Sequence, residues 1–219
     1  MKIGVFGTGD VGKAIATRLV GLGHEVRMGS RTRGNASASA WAKESGERAS
    51  EGTFADAAAF GEILFNCTKG EHTLSVLEQA GAAQLAGKIL VDISNPLDFG
   101  KGFPPSLTVC NEDSLGEQIQ RAYPDVKVVK ALNTMWNGLM VNPRMLEDTH
   151  HTFVSGNDAA AKGAVRGLLE SFGWRQSEIL DLGDITTARG TEMYLPLWVR
   201  IYGATQNGAF NIKIVAAPR

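Results

Sequence analysis

The chain has 219 residues, of which 43% are hydrophobic and 21% charged, with a formal net charge of −1. This composition fits one sizeable folded unit, or a core with a smaller appendage. It carries no electrostatic footprint for nucleic acid or an anionic membrane surface. No apolar run approaches a membrane span, no signal-peptide pattern precedes the first strand, and Cys67 and Cys110 lack metal or redox spacing. A cytoplasmic protein with no nucleic-acid and no membrane partner is therefore expected.

The N-terminal stretch organises the rest. Lys2–Phe6 reads as a strand, followed at once by Gly7-Thr8-Gly9-Asp10-Val11-Gly12. A helix comes next, with Val11, Ala14, Ile15, Leu19 and Leu22 on one apolar face and Gly21 and Gly23 at its stop. Glu25–Met28 is the second strand. A glycine turn set between a strand and a helix predicts a dinucleotide site, against the alternative of a glycine-rich turn in some other α/β protein. Gly7 allows the tight turn, Gly9 lets the main chain approach a pyrophosphate, and Gly12 lets the helix pack close to the strand. The helix N-terminus supplies amide donors and partial positive charge.

Which dinucleotide binds is read at the end of the second strand. An NAD site places a carboxylate there for the ribose hydroxyls. This chain has Gly29-Ser30-Arg31-Thr32-Arg33, and its nearest acid, Glu25, lies at the wrong end. Ser30 can bond a 2′-phosphate, Arg31 can grip it or stack on the adenine, and Arg33 can add charge. NADP(H) is the expected cofactor. A merely solvated basic loop is the competing reading.

Further along, Asn35 caps a short helix that turns Trp41 inward, and Thr53 or Asp56 opens another. Glu62–Cys67 is a buried strand, followed by Thr68-Lys69-Gly70-Glu71-His72 at its carboxyl end, where open α/β sheets bind ligands. Lys69 is within reach of a phosphate in this reading. His72 is either a helix-start surface group or an acid/base, the former being commoner. A helix over Thr73–Ala80 leads to a strand at Lys88–Ile93 with Ser94-Asn95-Pro96 at its end. Asn95 belongs near the nicotinamide or is plain turn chemistry, and Pro96 fixes a turn, with a cis bond as one option.

Asp98–Asn111 reads as an irregular loop, either a lid or a surface crossing, and Glu112–Tyr123 as a helix. Val126–Leu132 is a strand ending in Asn133-Thr134-Met135-Trp136; Lys130 with Asn133 suggests an acid/base pair, though a strand-end lysine is usually just solvated, the reading expected here. After a boundary near residue 150 come a strand at Thr152–Gly156, a helix capped by Asn157 or Asp158 and ended by Gly173, and a strand at Ile179–Gly183. A mainly apolar helix spans Asp184–Tyr202, with Pro196 kinking it or starting a new one. The fold class is α/β: a Rossmann-like, doubly wound, mainly parallel sheet with helices on both faces and a small C-terminal α/β extension. Residues 1–150 form the NADP-binding domain. Residues 151–219 are a small region expected to contribute to the acceptor pocket and to dimer contacts.

The whole chain resembles the NADP oxidoreductases that depend on the deazaflavin coenzyme F420. Gly7–Gly12 with Gly29-Ser30-Arg31, Glu71-His72 opening a helix, and Glu192–Ile214 with Leu195-Pro196-Leu197 and Gly208–Lys213 carry the likeness. The reductase module of six-helix membrane metalloreductases is similar too. The resemblance implies NADP bound through Thr8, Asp10, Val11, Ser30 and Arg31. It also implies that Thr68, Asn95, Pro96 and Asn133 shape the nicotinamide and acceptor pocket. Hydride transfer between two cofactors needs positioning more than a protein acid or base, so no catalytic side chain and no metal is expected. Thr68-Lys69-Gly70 departs from the family's apolar loop, and Trp136 enlarges another rim. The small-molecule acceptor therefore stays open between F420, FMN or FAD, and a small carbonyl or imine. The last would need a proton donor such as Lys69, His72 or Lys130. A non-catalytic NADP(H) redox sensor is the reading from another class, and a homodimer is expected from the apolar final helix.

Overall fold

In the computed structural model, which describes residues 1–217, the chain opens with β1 (Lys2–Phe6), α1 (Asp10–Gly21) and β2 (Glu25–Ser30). α2 (Ala36–Ser45) is capped by Asn35, whose Oδ1 accepts the Ser37 and Ala38 amides, both at 3.1 Å. Trp41 is buried and donates through Nε1 to Thr17 Oγ1 at 3.0 Å. β3 (Ala49–Thr53) was not expected, because Ala-Ser-Glu-Gly-Thr has almost no strand former. It forms as an edge strand along β2, where pairing overrides propensity.

α3 (Phe54–Phe60) starts on a capping box in which Thr53 and Asp56 satisfy each other's backbone amides. β4 (Ile63–Asn66), α4 (Thr73–Ala80), α5 (Ala82–Leu85) and β5 (Ile89–Asp92) follow. The expected irregular loop holds a small antiparallel ladder, β6 (Leu97–Asp98) with β7 (Ser106–Leu107). The cis bond lies at Phe103–Pro104 in that loop, rather than at Pro96. α6 (Leu115–Ala122), β8 (Lys127–Ala131), α7 (Asn137–Val141), β9 (Thr152–Ser155), α8 (Ala159–Phe172) and β10 (Ile179–Gly183) come next. The helix expected over Asp184–Tyr202 is broken into a 3₁₀ turn at Ile185–Thr187, α9 (Ala188–Met193) and α10 (Leu195–Thr205). Pro196 sits in the first turn of α10, where its missing N–H costs nothing.

Eight strands form one sheet in the order β10-β9-β8-β5-β4-β1-β2-β3. All neighbours are parallel except β8 with β9. The fold is thus α/β and Rossmann-like, and β9 and β10 extend the same sheet. Alternation along the strands feeds two cores. Ile3, Val5, Phe65, Val91 and Val129 pack under α1, α2, α7 and α8, while Phe6, Leu64, Leu90 and Val128 face α3, α4, α6 and α9. Each fully buried large side chain contributes about 1.5–3 kcal/mol against exposure. The chain winds outward through β2 and β3, then returns to the other side of β1 at β4. That reversal opens a crevice at the carboxyl ends of β1 and β4, the position where such sheets bind ligands.

Candidate functional site

A groove of about 580 Å³ runs over this reversal, lined by the Gly7-Thr8-Gly9 turn, Ser30-Arg31-Thr32, Asn35, Phe54, Thr68, Lys69 and His72. Gly7 has φ +113°, and a Cβ at Gly12 would lie 2.2 Å from the Gly7 carbonyl oxygen, so the turn closes only around glycine. At Gly9 a Cβ would meet no atom within 4 Å, leaving the main chain open to the groove. No side chain caps α1. The amides of its first turn, from Asp10 to Gly12, therefore remain available to an anion. This donor set fits a dinucleotide pyrophosphate.

Beyond it, Arg31 is exposed, and no carboxylate among the described residues pairs with it. Arg33 is held differently: it donates to Asp56 at 2.9 Å. The Thr53 backbone amide, then the Thr53 hydroxyl and Arg33, hold the Asp56 carboxyl down at about 2. Ser30 is buried and gives its hydroxyl proton to the Thr32 carbonyl at 2.7 Å, which fixes the bend that presents Arg31.

The other end of the groove deepens into a smaller pocket lined by Val11, Cys67, Thr68, Lys69, Ile93, Asn95, Leu97 and Phe99. The structure brings the strand-end residues together here. Asn95 donates to the Asn133 carbonyl and Asn133 donates to the Asn95 Oδ1, each at 2.9 Å. Leu132, just before Asn133, is held at φ +61°, a costly conformation for a bulky residue that turns the chain toward Asn95. Pro96 is buried, and its carbonyl accepts the Thr108 amide, tying the β6–β7 loop to the pocket. Gly70 also belongs to this construction: a Cβ there would lie 2.1 Å from the Asn95 carbonyl oxygen. The Asn137 amide donates to the Asp10 carbonyl at 3.2 Å, joining the segment after β8 to the glycine turn.

Beneath this pocket lies a buried polar row. Thr68 donates its hydroxyl to Asn66 Oδ1 at 2.6 Å, and Asn66 donates to Asp92 Oδ1 at 2.7 Å. Asp92 also accepts the Ser94 hydroxyl at 2.6 Å and, through Oδ2, the Lys130 ammonium at 2.7 Å. Lys130 is 1% exposed, which corrects the expectation that it is solvated. Its two further bonds go to the Ser94 carbonyl at 2.6 Å and to Glu192 Oε1 at 2.7 Å. Burial alone would lower the Lys130 pKa, but Asp92 and Glu192 more than reverse this and hold it raised. A buried ammonium with three acceptors is no proton donor for a substrate.

Lys69 and His72 are exposed at the rim, with Glu71 3.6 Å from the His72 ring. Burial, then the Asp92 charge, push the Cys67 thiol up, so it stays protonated. Among the described residues no cluster of His, Cys, Asp and Glu could hold a metal ion.

Comparison with known proteins agrees with this layout. A family model described as "NADP oxidoreductase coenzyme F420-dependent" matches residues 2–96. A crystal structure of a candidate F420-dependent NADP reductase from Arthrobacter sp. FB24 is 51% identical, covers 99% of this chain and 100% of its own, and superposes with a TM-score of 0.93. Rat metalloreductase STEAP3 is 32% identical over 90% of this chain, which spans 38% of the STEAP3 length. An imine reductase from Streptomyces aurantiacus, at 20% identity, covering 94% of this chain and 63% of its own, shares the fold with a TM-score of 0.66. The chain belongs to the coenzyme F420-dependent NADP oxidoreductase family.

Proposed function

We propose, with that family membership as premise, that this NADP-binding oxidoreductase passes hydride between NADP(H) and a deazaflavin of the F420 type or a flavin. The observation that carries the reading is the shape of the groove. It pairs an anion-binding glycine turn and the unpaired Arg31 with a pocket walled by Val11, Ile93, Leu97 and Phe99, whose titratable neighbours Lys69 and Glu71 lie exposed at the rim. The nicotinamide, when bound, supplies the hydride chemistry. The chain's part is to hold phosphates on the α1 amides, to grip the 2′-phosphate with Arg31, and to orient the reacting ends with Thr68, Asn95, Pro96 and Asn133. Apolar walls keep water from the reacting atoms. A transfer of this kind gains mostly from geometry.

Lys130 drops out as a donor for a carbonyl or imine substrate, and the non-catalytic sensor gives way to an oxidoreductase. Lys69 and His72 are the donors such a substrate would have to use. The test is oxidation of NADPH followed at its near-ultraviolet absorbance with F420, FMN, FAD and a carbonyl and imine panel. Turnover with F420 or a flavin supports the proposal; turnover confined to carbonyls or imines overturns it.

Two further readings go with this one. Met193, Leu197 and Tyr202 form an exposed apolar face on α9 and α10, and a second copy of the chain is its proposed partner. A monomer at micromolar concentration in sedimentation would exclude that. The unpaired thiols of Cys67 and Cys110 suit a reducing cytoplasm, and among the described residues no helix is long and apolar enough to cross a membrane.

A further inference from the structure

Asn66, Asp92 and Lys130 stand opposite one another across β4, β5 and β8, at or next to the last residue of each strand. They point to the same face of the sheet, where α6 and α9 pack. The row therefore lies at the root of every loop that shapes the nicotinamide end. Asn66 Oδ1 accepts both the amide and the hydroxyl of Thr68, at 3.3 and 2.6 Å. Asp92 Oδ1 accepts the amide and the hydroxyl of Ser94, at 3.2 and 2.6 Å, and Lys130 takes the Ser94 carbonyl. Ser94 is thus held by all its polar groups immediately before Asn95.

The far end of the row comes from a distant part of the chain. Glu192, on α9, is 1% exposed and accepts the Leu115 and Gly116 amides at 2.8 and 3.0 Å, as well as the Lys130 ammonium. The carboxylate sits at the start of α6, where the helix dipole favours negative charge. Arg189, one turn earlier on α9, grips Glu117 on α6 with two bonds of 2.8 and 2.6 Å. The Lys130 ammonium thus joins Glu192 of α9, and through it the start of α6, to Asp92 and the Ser94 carbonyl.

Stability alone does not account for such a row. Each buried ion loses several kcal/mol of solvation, and apolar side chains of equal volume commonly hold a core as well or better. What charges supply, and apolar groups cannot, is a fixed direction for each contact.

We propose that Lys130, Asp92 and Glu192 are positioning residues for the nicotinamide half of the cofactor: they lock the Thr68 and Ser94–Pro96 loops against α9, and the adenosine half does not depend on them. The inference rests on the hydride-transfer reading only in taking the nicotinamide as the reacting half, and its test needs no acceptor.

Two variants serve. Glu192→Gln keeps an acceptor oxygen and removes the charge. The triple variant Asp92→Asn, Lys130→Met, Glu192→Gln leaves no uncompensated buried charge. Each is titrated with NADPH and with adenosine 2′,5′-bisphosphate, which carries only the adenosine half, and the emission of bound NADPH is recorded. The expected result is bisphosphate affinity within about twofold of wild type, NADPH affinity about tenfold weaker, and nicotinamide emission moved toward that of the free cofactor, as for the loss of a few oriented bonds. Equal weakening of both ligands would mean general loosening and overturn the proposal. Unchanged NADPH affinity and emission in the folded variants would overturn it as well. Should the triple variant not fold, Glu192→Gln decides alone. A wild-type protein inactive with F420 and flavins would sink the proposed acceptor and leave this binding comparison intact.

Discussion

In the proposed function the groove has two unlike ends: at the adenosine end the binding groups are main-chain amides and an exposed cation, drawn from the first thirty-three residues and held by a turn that only glycine can make. At the nicotinamide end they are side chains and strand-end loops drawn from four separate segments, held by a buried row of charges and amides. The first end is local and open to solvent: no side chain caps the α1 amides and the Arg31 guanidinium is exposed. The second is non-local and dry. Affinity can reside in a modular turn, whereas placement of a reacting atom needs a scaffold over-determined from several directions.

Four substitutions and one control break or sharpen this contrast. The largest effect is expected for Gly12→Val, which drives a side chain into the Gly7 carbonyl. Overpacking of this kind costs about 1–3 kcal/mol of stability, and the displaced turn should abolish NADPH binding in a fluorescence titration at concentrations that saturate the wild type. Wild-type affinity in a folded Gly12→Val protein would remove the glycine turn from the site. Arg31→Ala comes next: losing a charge-assisted phosphate contact should weaken NADPH by about 1.5–3 kcal/mol, with NADH binding nearly unchanged. Parallel losses for both cofactors would contradict a 2′-phosphate role. Arg33→Ala serves as its control, because that guanidinium is already engaged by Asp56.

At the opposite end, Asn133→Ala removes the side-chain bond to Asn95 Oδ1 and leaves the Asn133 main-chain carbonyl accepting from Asn95. The transfer rate should fall about tenfold with NADPH affinity within about threefold, the pattern of lost positioning. A drop in affinity alone would reverse the assignment. Asp56→Asn is the smallest, at about 1 kcal/mol for a weakened helix cap, and it is pH-dependent. The Asp56 carboxyl lies at about 2 in the folded protein, below its unfolded value. Its stabilising contribution is therefore complete above about pH 4 and lost as pH falls toward 2. Melting temperatures of wild type and variant should converge over that window, and a constant gap would exclude the linkage.

How much of this could be read from the residues follows the same division. The glycine turn, the apolar stripe of α1 and the missing carboxylate after β2 are features of adjacent residues, so spacing alone announces them. Asn95 and Asn133 stand at strand ends as expected, yet nothing near either one signals that the Asn133 side chain bonds Asn95 Oδ1 across 38 positions. Lys130 read as a solvated strand-end lysine because its acceptors lie at residues 92, 94 and 192. Glu192, in Ala-Arg-Gly-Thr-Glu-Met, looks like an ordinary helix-surface acid until α9 is seen to dock on α6. The polar segment of β3 was lost for a related reason, since only its neighbour makes it a strand. Three polar residues, Asn66, Asp92 and Lys130, each at or next to the end of its strand, are what a cross-sheet row leaves in a sequence.

The reach of Glu192 back to the start of α6, 77 residues upstream of it, also sets an order in time. The glycine turn closes on Gly29 within the first strand–helix–strand unit, while β1 takes its second partner from β4. Loops closed over short separations form before those that must wait for distant chain. Asp92 and Lys130, neighbours in the sheet, gain their third charge only when α9 docks on α6. The local glycine turn is therefore expected to form ahead of the strand-end loops that the proposed nicotinamide end needs.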